Sequence, residues 1–359
     1  MGGTNILIAI QRVYYPLLFS VGLPANLFTF YVIRFRKCGM SETAAIYLSS
    51  LAVVDSCYLV WVILLDLTLT FAQAQPFWHA QPWCRILTYL QHGSLYSSSW
   101  IVVGFTVERY LALRITGLKR RLSRCRVTVC VTLMIVVFSH VASVPVYWIN
   151  DVKPTNLTRD GENVTLPRCG YNNTEYSTVL VWITTFLSGG IPILLVIVFN
   201  TLIGHHLRRA SKMFTKEERR AIKGASAKSM VRRTILLLCT VSITFVVLSL
   251  PRFVTYCILR TTYNYQGFNR DDYSLPINVI SDLANMLQNL NSSTNFLLYC
   301  MVSRRFRQEL LGLLAHRSRA RELGSLTAQT TMKVFSVMDR PAHNARVVNV
   351  VLTKLKQTQ

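Results

Sequence analysis

The sequence predicts an all-α membrane protein, a seven-transmembrane helix bundle followed by a short amphipathic cytoplasmic helix. Three observations carry that prediction. Hydrophobic residues make up 51% of the chain and charged ones only 15%, with a mean hydropathy of +0.34, too apolar for an ordinary soluble domain. Seven stretches, at 13–34, 43–71, 85–113, 127–149, 178–207, 230–259 and 275–301, read as helices apolar and long enough to cross a layer of ~30 Å. Basic residues, finally, segregate into alternate connections.

The net charge of +23 raises the question of nucleic-acid binding, but its distribution answers differently. Arg34, Arg36 and Lys37 follow span one, Arg114, Lys119, Arg120, Arg121, Arg124 and Arg126 follow span three, and a dense basic run from Arg208 to Arg233 joins spans five and six. Arg304, Arg305 and Arg307 open the tail, whereas the other connections carry only Lys153, Arg159, Arg168 and Arg270. By the positive-inside rule the N-terminus is outside and the tail cytoplasmic, a topology that suits the plasma membrane. The positive charge faces anionic membrane lipids, and no nucleic-acid partner is expected.

The elements follow in order. Residues 1–12 read as a short extracellular N-terminus without a cleavable signal, so span one is its own anchor. It contains Gly22-Leu23-Pro24-Ala25-Asn26, and span two places Asp55 at membrane depth, a position costly enough to require a partner or an ion. Span three runs from Cys84 to Glu108-Arg109-Tyr110; alone, that last pair is no more than a charged helix end reaching water. Span four holds Pro145, with Tyr147 and Trp148 at the outer interface, and Gly189, Gly190 and Pro192 break span five. Span six has Pro251 followed by Arg252, and span seven is unusually polar, which turns it toward the bundle interior.

Of nine cysteines, Cys84 and Cys169 alone fall outside, where disulfides persist. A bond between them would tether the second outer loop by roughly 3–5 kcal/mol. That loop also carries sequons at Asn156, Asn163 and Asn172, consistent with glycosylation on the outer side. Residues 303–315 alternate apolar and basic positions at helical spacing and read as a membrane-surface helix; 316–359 are polar, hydroxyl-rich and expected to be disordered.

Taken together, Asn26, Asp55, Cys84 with Cys169, Glu108-Arg109-Tyr110, Pro145, Pro192, Pro251, Asn295 with Tyr299, and Phe306 resemble the rhodopsin-like (class A) G-protein-coupled receptors over all seven spans. Within that family, Leu250-Pro251-Arg252, the stretch from Ile280 to Leu287 and Asn295–Cys300 are similar to the peptide-receptor-like branch, closest to orphan receptors that sense aromatic amino acids. Three positions depart from the pattern: Ser249 replaces a Trp in span six, Ile135 a Trp in span four, and Phe296 a Pro in span seven.

The resemblance implies a non-enzymatic receptor that activates heterotrimeric G proteins, with arrestin joining through a phosphorylated tail. It makes Glu108, Arg109, Tyr110, Asn295 and Tyr299 the activation switch. Met230–Arg233 supply no acid to hold Arg109, which predicts a weakly latched resting state. It also implies a sodium ion at Asp55, Ser98, Asn291, Ser292 and Asn295, oxygen donors suited to a hard cation; the alternative is a water-filled polar cluster. No other cofactor is expected.

For the ligand, the facing residues in the outer third of span three, Gln91, His92, Leu95 and Tyr96, include no carboxylate, which argues against biogenic amines. No lysine in span seven could hold retinal. Arg252 is the anchor for a ligand carboxylate or peptide carbonyl, its alternative being a structural pair with Asp282 or Asp66. Trp182, Tyr256, Asp282 and Asn285 complete the expected site. The expected ligand is an extracellular small molecule or short peptide, aromatic amino acids included. Against a transporter or channel, the chain shows neither repeat symmetry nor a filter sequence.

Overall fold

The computed structural model describes residues 2–36, 40–69, 75–114, 125–159, 162–171, 174–212, 226–263, 268, 272–303 and 306–312. It divides into a bundle unit, Met1–Arg307, and a second unit, Gln308–Gln359, of which 308–312 is described, as helix. Cys38, Asn172 and the tail beyond 312 lie outside the described residues.

Seven long helical elements build the bundle. Helix α1 covers Gly2–Phe35; α2 covers Glu42–Tyr58 and continues as a π-helix over Leu59–Leu69; α3 is Trp83–Arg114 and α4 Cys125–Ser143. Helix α5 comprises Glu175–Thr185, a π turn at Phe186–Gly190 and Ile191–Lys212, followed by α6, Ser226–Thr261, and α7, Pro276–Val302. Local chemistry sets several starts. Ser41 caps α2 by accepting from the Ala44 N–H (3.3 Å), Thr174 caps α5 by accepting from the Ser177 N–H (3.2 Å), and Pro276 opens α7.

Two boundaries differ from the sequence expectation. Residues 2–12, expected as a short outer N-terminus, are already helical and continuous with span one, because Ile6, Leu7, Ile8 and Ile10 extend the apolar helix and no proline intervenes before Pro16. The glycines of span five do not break it: the chain stays helical through the π turn into Pro192.

Among the described residues, five elements are long and apolar enough by composition to cross a membrane: Ile6–Phe35, Glu42–Leu69, Cys125–Trp148, Glu175–His206 and Ile235–Thr261. Helices α3 and α7, 32 and 27 residues long, have the length but not the apolarity. Their polar residues are the buried ones: Ser94, Ser97, Ser98, Ser99 and Thr106 on α3, and Asn278, Ser281, Gln288, Asn289, Asn291 and Asn295 on α7. The polar residues of span seven are thus buried, and the seven-helix architecture stands. Helix α4 is the opposite case, exposing Leu133, Met134, Val137, Phe138 and Val141, the face a hydrocarbon solvent would cover.

The connection after α4 is an antiparallel hairpin, β1 (Asn150–Arg159) with β2 (Glu162–Tyr171), which aligns Asn156 with Thr165 and Thr158 with Asn163. Val152 lies opposite Cys169, and the disulfide from Cys169 to Cys84 (Cα–Cα 5.5 Å) ties the hairpin to the first turn of α3.

Candidate functional site

A cavity of about 790 Å³ opens within the bundle beneath the hairpin, lined by side chains of α1, α2, α3, α5, α6 and α7. That volume suits a drug-sized molecule or a short peptide. Of the residues the sequence singles out, Gln91, His92, Leu95, Arg252, Tyr256, Asp282 and Asn285 line it. Tyr96 and Trp182 are not among its lining residues. Each sits one helical step, ~100°, from the inward face marked by His92 and Leu95 on α3 or by Val181, Thr184 and Thr185 on α5. Trp182 stacks on Phe186 (6.0 Å), whose ring meets Phe253 edge-on (5.5 Å). Phe253 lines the cavity, and only a glycine fits behind it, because a Cβ at Gly190 would come within 2.8 Å of its ring.

Arg252 has a specific set of partners. Its Nε–H donates to Asn285 Oδ1 (3.1 Å), and its guanidinium lies 4.8 Å from the Tyr256 ring centroid, in cation–π contact. The structural pair with Asp282 or Asp66 is thus replaced by a neutral amide. Asp282 instead accepts from Tyr273 Oη (2.8 Å) and, across the bundle, from Gln11 Nε2 (3.3 Å), a role for Gln11 that placing residues 1–12 outside the membrane conceals.

Sequence reasoning also passed over Asp66 as a cavity residue. The sequence seeks a ligand carboxylate on α3 and finds Gln91; in the fold, Gln91 Nε2 donates to Asp66 Oδ2 (3.2 Å), so the carboxylate enters from α2. Its signal was present, since an aspartate inside an apolar span is expensive unless it serves a site. Ser249 is the second such residue. It is 3% exposed, lines the cavity, and its hydroxyl has no partner among the described residues.

Deeper in the bundle, Asp55 accepts from Ser98 Oγ (2.7 Å) and Asn295 Nδ2 (2.6 Å). Asn26 Nδ2 donates to the Ser292 carbonyl (2.7 Å), while its Oδ1 is buried without a donor. Asn291 and Ser292 are buried on the same helix. Asp55, Ser98 and Asn295 thus bring a carboxylate, a hydroxyl and an amide together, groups of the kind that suit a hard cation. Phe296 packs edge-on against Phe28 (6.0 Å) and Phe306 (5.8 Å). With no proline there, α7 stays helical through Tyr299, whose buried hydroxyl is unpartnered.

At the other end of α3, Arg109 Nε–H donates to Glu108 Oε2 (2.5 Å), and the same guanidinium donates to Ser41 Oγ (3.3 Å) and to Thr43 Oγ1. It also lies 5.6 Å from the Phe105 centroid. Two hydroxyls from the start of α2 thus hold the arginine where no acid from α6 was expected to. The side chains of Met230–Arg233 lie outside the described residues. Tyr110 packs on Phe199 of α5 (5.4 Å).

On the rim, Asp151 accepts from the Val152 N–H (2.9 Å), Gln81 Nε2 (2.6 Å) and Arg85 Nη2 (3.3 Å). These contacts, the backbone N–H first, hold its carboxyl below the usual range.

Among known families, residues 25–299 match the 7 transmembrane receptor (rhodopsin family). The chain is 28% identical over 332 residues to the "Probable G-protein coupled receptor 142" of Mus musculus, covering 90% of this chain and 78% of that protein. It is 26% identical to the neurotensin receptor type 1 of Mus musculus (84% and 74% covered) and 25% identical to the motilin receptor of Homo sapiens (85% and 80%).

Proposed function

The chain belongs to the rhodopsin family of seven-transmembrane receptors, non-enzymatic membrane proteins that signal through G proteins, and from that premise we propose that it is switched by an extracellular small molecule or short peptide held at Arg252. The observation that carries this reading is the coexistence, in one bundle, of a cavity with charged lining residues beneath the disulfide-tied hairpin and a breakable Glu108–Arg109 pair at the far end of α3. A ligand that favours one bundle arrangement shifts the population in which Arg109 leaves Glu108, Ser41 and Thr43 and becomes available to a G protein.

Several finer points belong to the same reading. The N-terminus is extracellular and the tail cytoplasmic, which puts the hairpin and its sequons Asn156 and Asn163 outside. Aromatic amino acids suit the cavity through the ring of Tyr256 beside a carboxylate-binding guanidinium. Asp55, Ser98, Asn291, Ser292 and Asn295 would hold a sodium ion, which supplies positive charge to an otherwise uncompensated buried carboxylate. Arrestin would dock on the phosphorylated tail and the 303–315 helix on inner-leaflet lipid.

The test is guanine-nucleotide exchange on a panel of purified heterotrimeric G proteins, using membranes from cells expressing the chain, with and without aromatic amino acids and short aromatic peptides. Receptor-dependent exchange supports the reading. Ion flux or current without exchange, from well-expressed protein, would replace it with a transporter or channel.

A further inference from the structure

Two of the charged residues lining the cavity, Asp66 and Arg252, each meet a neutral amide. Asp66 reaches the cavity on the π-helical extension of α2, which packs against α1 and α3, whereas Arg252 reaches it on α6, packed against α3, α5 and α7. Neither has an ion-pair partner among the described residues. Gln91 offers an N–H to one oxygen of Asp66, and Asn285 offers its carbonyl to one nitrogen of Arg252. The two amides orient the charged groups without neutralising them. Oδ1 of Asp66 and the Nη1/Nη2 fork of Arg252 have no hydrogen-bond partner among the described residues.

The remaining charged lining residues are otherwise engaged, Asp282 by Tyr273 and Gln11, and Arg260 over the Tyr171 ring at 5.1 Å. Ser249 extends the cationic pole inward. It lies three residues before Arg252, on the same face of α6. Buried helical hydroxyls here commonly donate to a carbonyl one turn back, as Ser97 does to Gly93 (2.7 Å) and Thr106 to Val102 (2.7 Å). The Ser249 hydroxyl does not, and leaving it unsatisfied in a dry wall is unfavourable.

We infer that the cavity is a bipolar site for a zwitterionic ligand: Asp66, presented by Gln91, binds a ligand ammonium, while Arg252, presented by Asn285, and the Ser249 hydroxyl bind its carboxylate. Keeping an isolated anion and an isolated cation in one low-dielectric cavity is costly, and a molecule bearing both complementary charges relieves both at once. The carboxylate that an amine ligand requires is therefore present, supplied by α2 rather than α3. A free amino acid or a peptide with both termini free fits; an N-acylated peptide, a C-terminal amide or a simple amine each leaves one pole unmatched. This inference rests on the ligand-cavity reading above.

It is tested by binding to the purified full-length chain in nanodiscs, read as ligand-dependent melting. The probes are L-phenylalanine and the dipeptide Phe-Phe, each compared with its C-terminal amide and its N-acetyl form. At least one zwitterion is expected to bind tenfold or more tightly than both of its blocked forms. In Asp66→Asn its advantage over the N-acetyl form should vanish while that over the amide persists, and Asp66→Glu should restore the former. Equal binding of a blocked form, or no preference for either zwitterion in the wild-type chain, overturns the bipolar assignment. The wild-type comparison needs no variant to fold. G-protein exchange by the same preparation tells failure of this inference from failure of the receptor reading.

Discussion

The two ends of the bundle treat an arginine in opposite ways. At the inner end Arg109 already has its acid, Glu108 at 2.5 Å, and two α2 hydroxyls complete its coordination. At the outer end Arg252 has an amide and an aromatic ring but, among the described residues, no acid, although two aspartates line the same cavity. The inner site is closed on itself, so it can do something new only by opening. The outer one is incomplete, so it can be completed only from outside. A signal that enters where charge is unmatched and leaves where a matched pair breaks has the form of a two-state coupling.

Breaking the tie over the outer end should produce the largest effect. Cys84→Ser frees the hairpin from α3, and loss of a native disulfide typically costs ~2–5 kcal/mol; surface yield and ligand binding should both collapse, measured by antibody labelling of intact cells and by radioligand or melting assays. Arg252→Gln comes next. Losing charge-assisted hydrogen bonds at ~1.5–3 kcal/mol weakens a carboxylate ligand about ten- to hundredfold with normal expression, whereas Asn285→Ala, which disturbs only the orientation of Arg252, should cost several-fold. Unchanged affinity in Arg252→Gln would erase the contrast between the two arginines.

At the inner end, Ser41→Ala with Thr43→Ala leaves Glu108 as the only polar partner of Arg109 among the described residues. Basal nucleotide exchange should rise about five- to thirtyfold if the two hydroxyls together contribute about one to two kcal/mol, and should stay flat if Glu108 alone is the latch. The smallest effect belongs to the rim. Asp151 titrates below the usual carboxylate range in the folded chain, so its contacts favour the fold at neutral pH and are lost as pH falls through that lowered value. Asp151→Asn should leave melting at neutral pH almost unchanged and flatten its decline under acid, as expected of an exposed ion pair.

Much of the inner end was legible in advance. Glu108-Arg109-Tyr110 is contiguous in sequence, and neighbours in a chain are neighbours in space. The Ser41 and Thr43 contacts were not, since they join residues more than sixty positions apart. The outer end follows the same rule. Arg252 and Asn285 announce themselves as polar groups inside apolar spans, but whether Arg252 meets Asp66, Asp282 or Asn285 depends on how α6 and α7 are rotated. Trp182 and Tyr96 are absent from the cavity lining for that reason: an aromatic residue one position from a cavity-facing one looks equally suited on paper, and ~100° of helix separates the two. The π extension over Leu59–Leu69, which carries Asp66, leaves no periodic mark in a stretch that is apolar on every side.

The sequence by itself determined that this chain spans a membrane seven times, which connections are basic, which cysteines pair and which family it joins, because these depend on composition, charge placement and local spacing. Only the tertiary structure decided that Gln91 meets Asp66 and Asn285 meets Arg252, that a cavity carboxylate arrives from α2, and that the Ser249 hydroxyl has no hydrogen-bond partner among the described residues. Those facts arise from helix rotation and from contacts between residues far apart in the chain, and no local pattern encodes either.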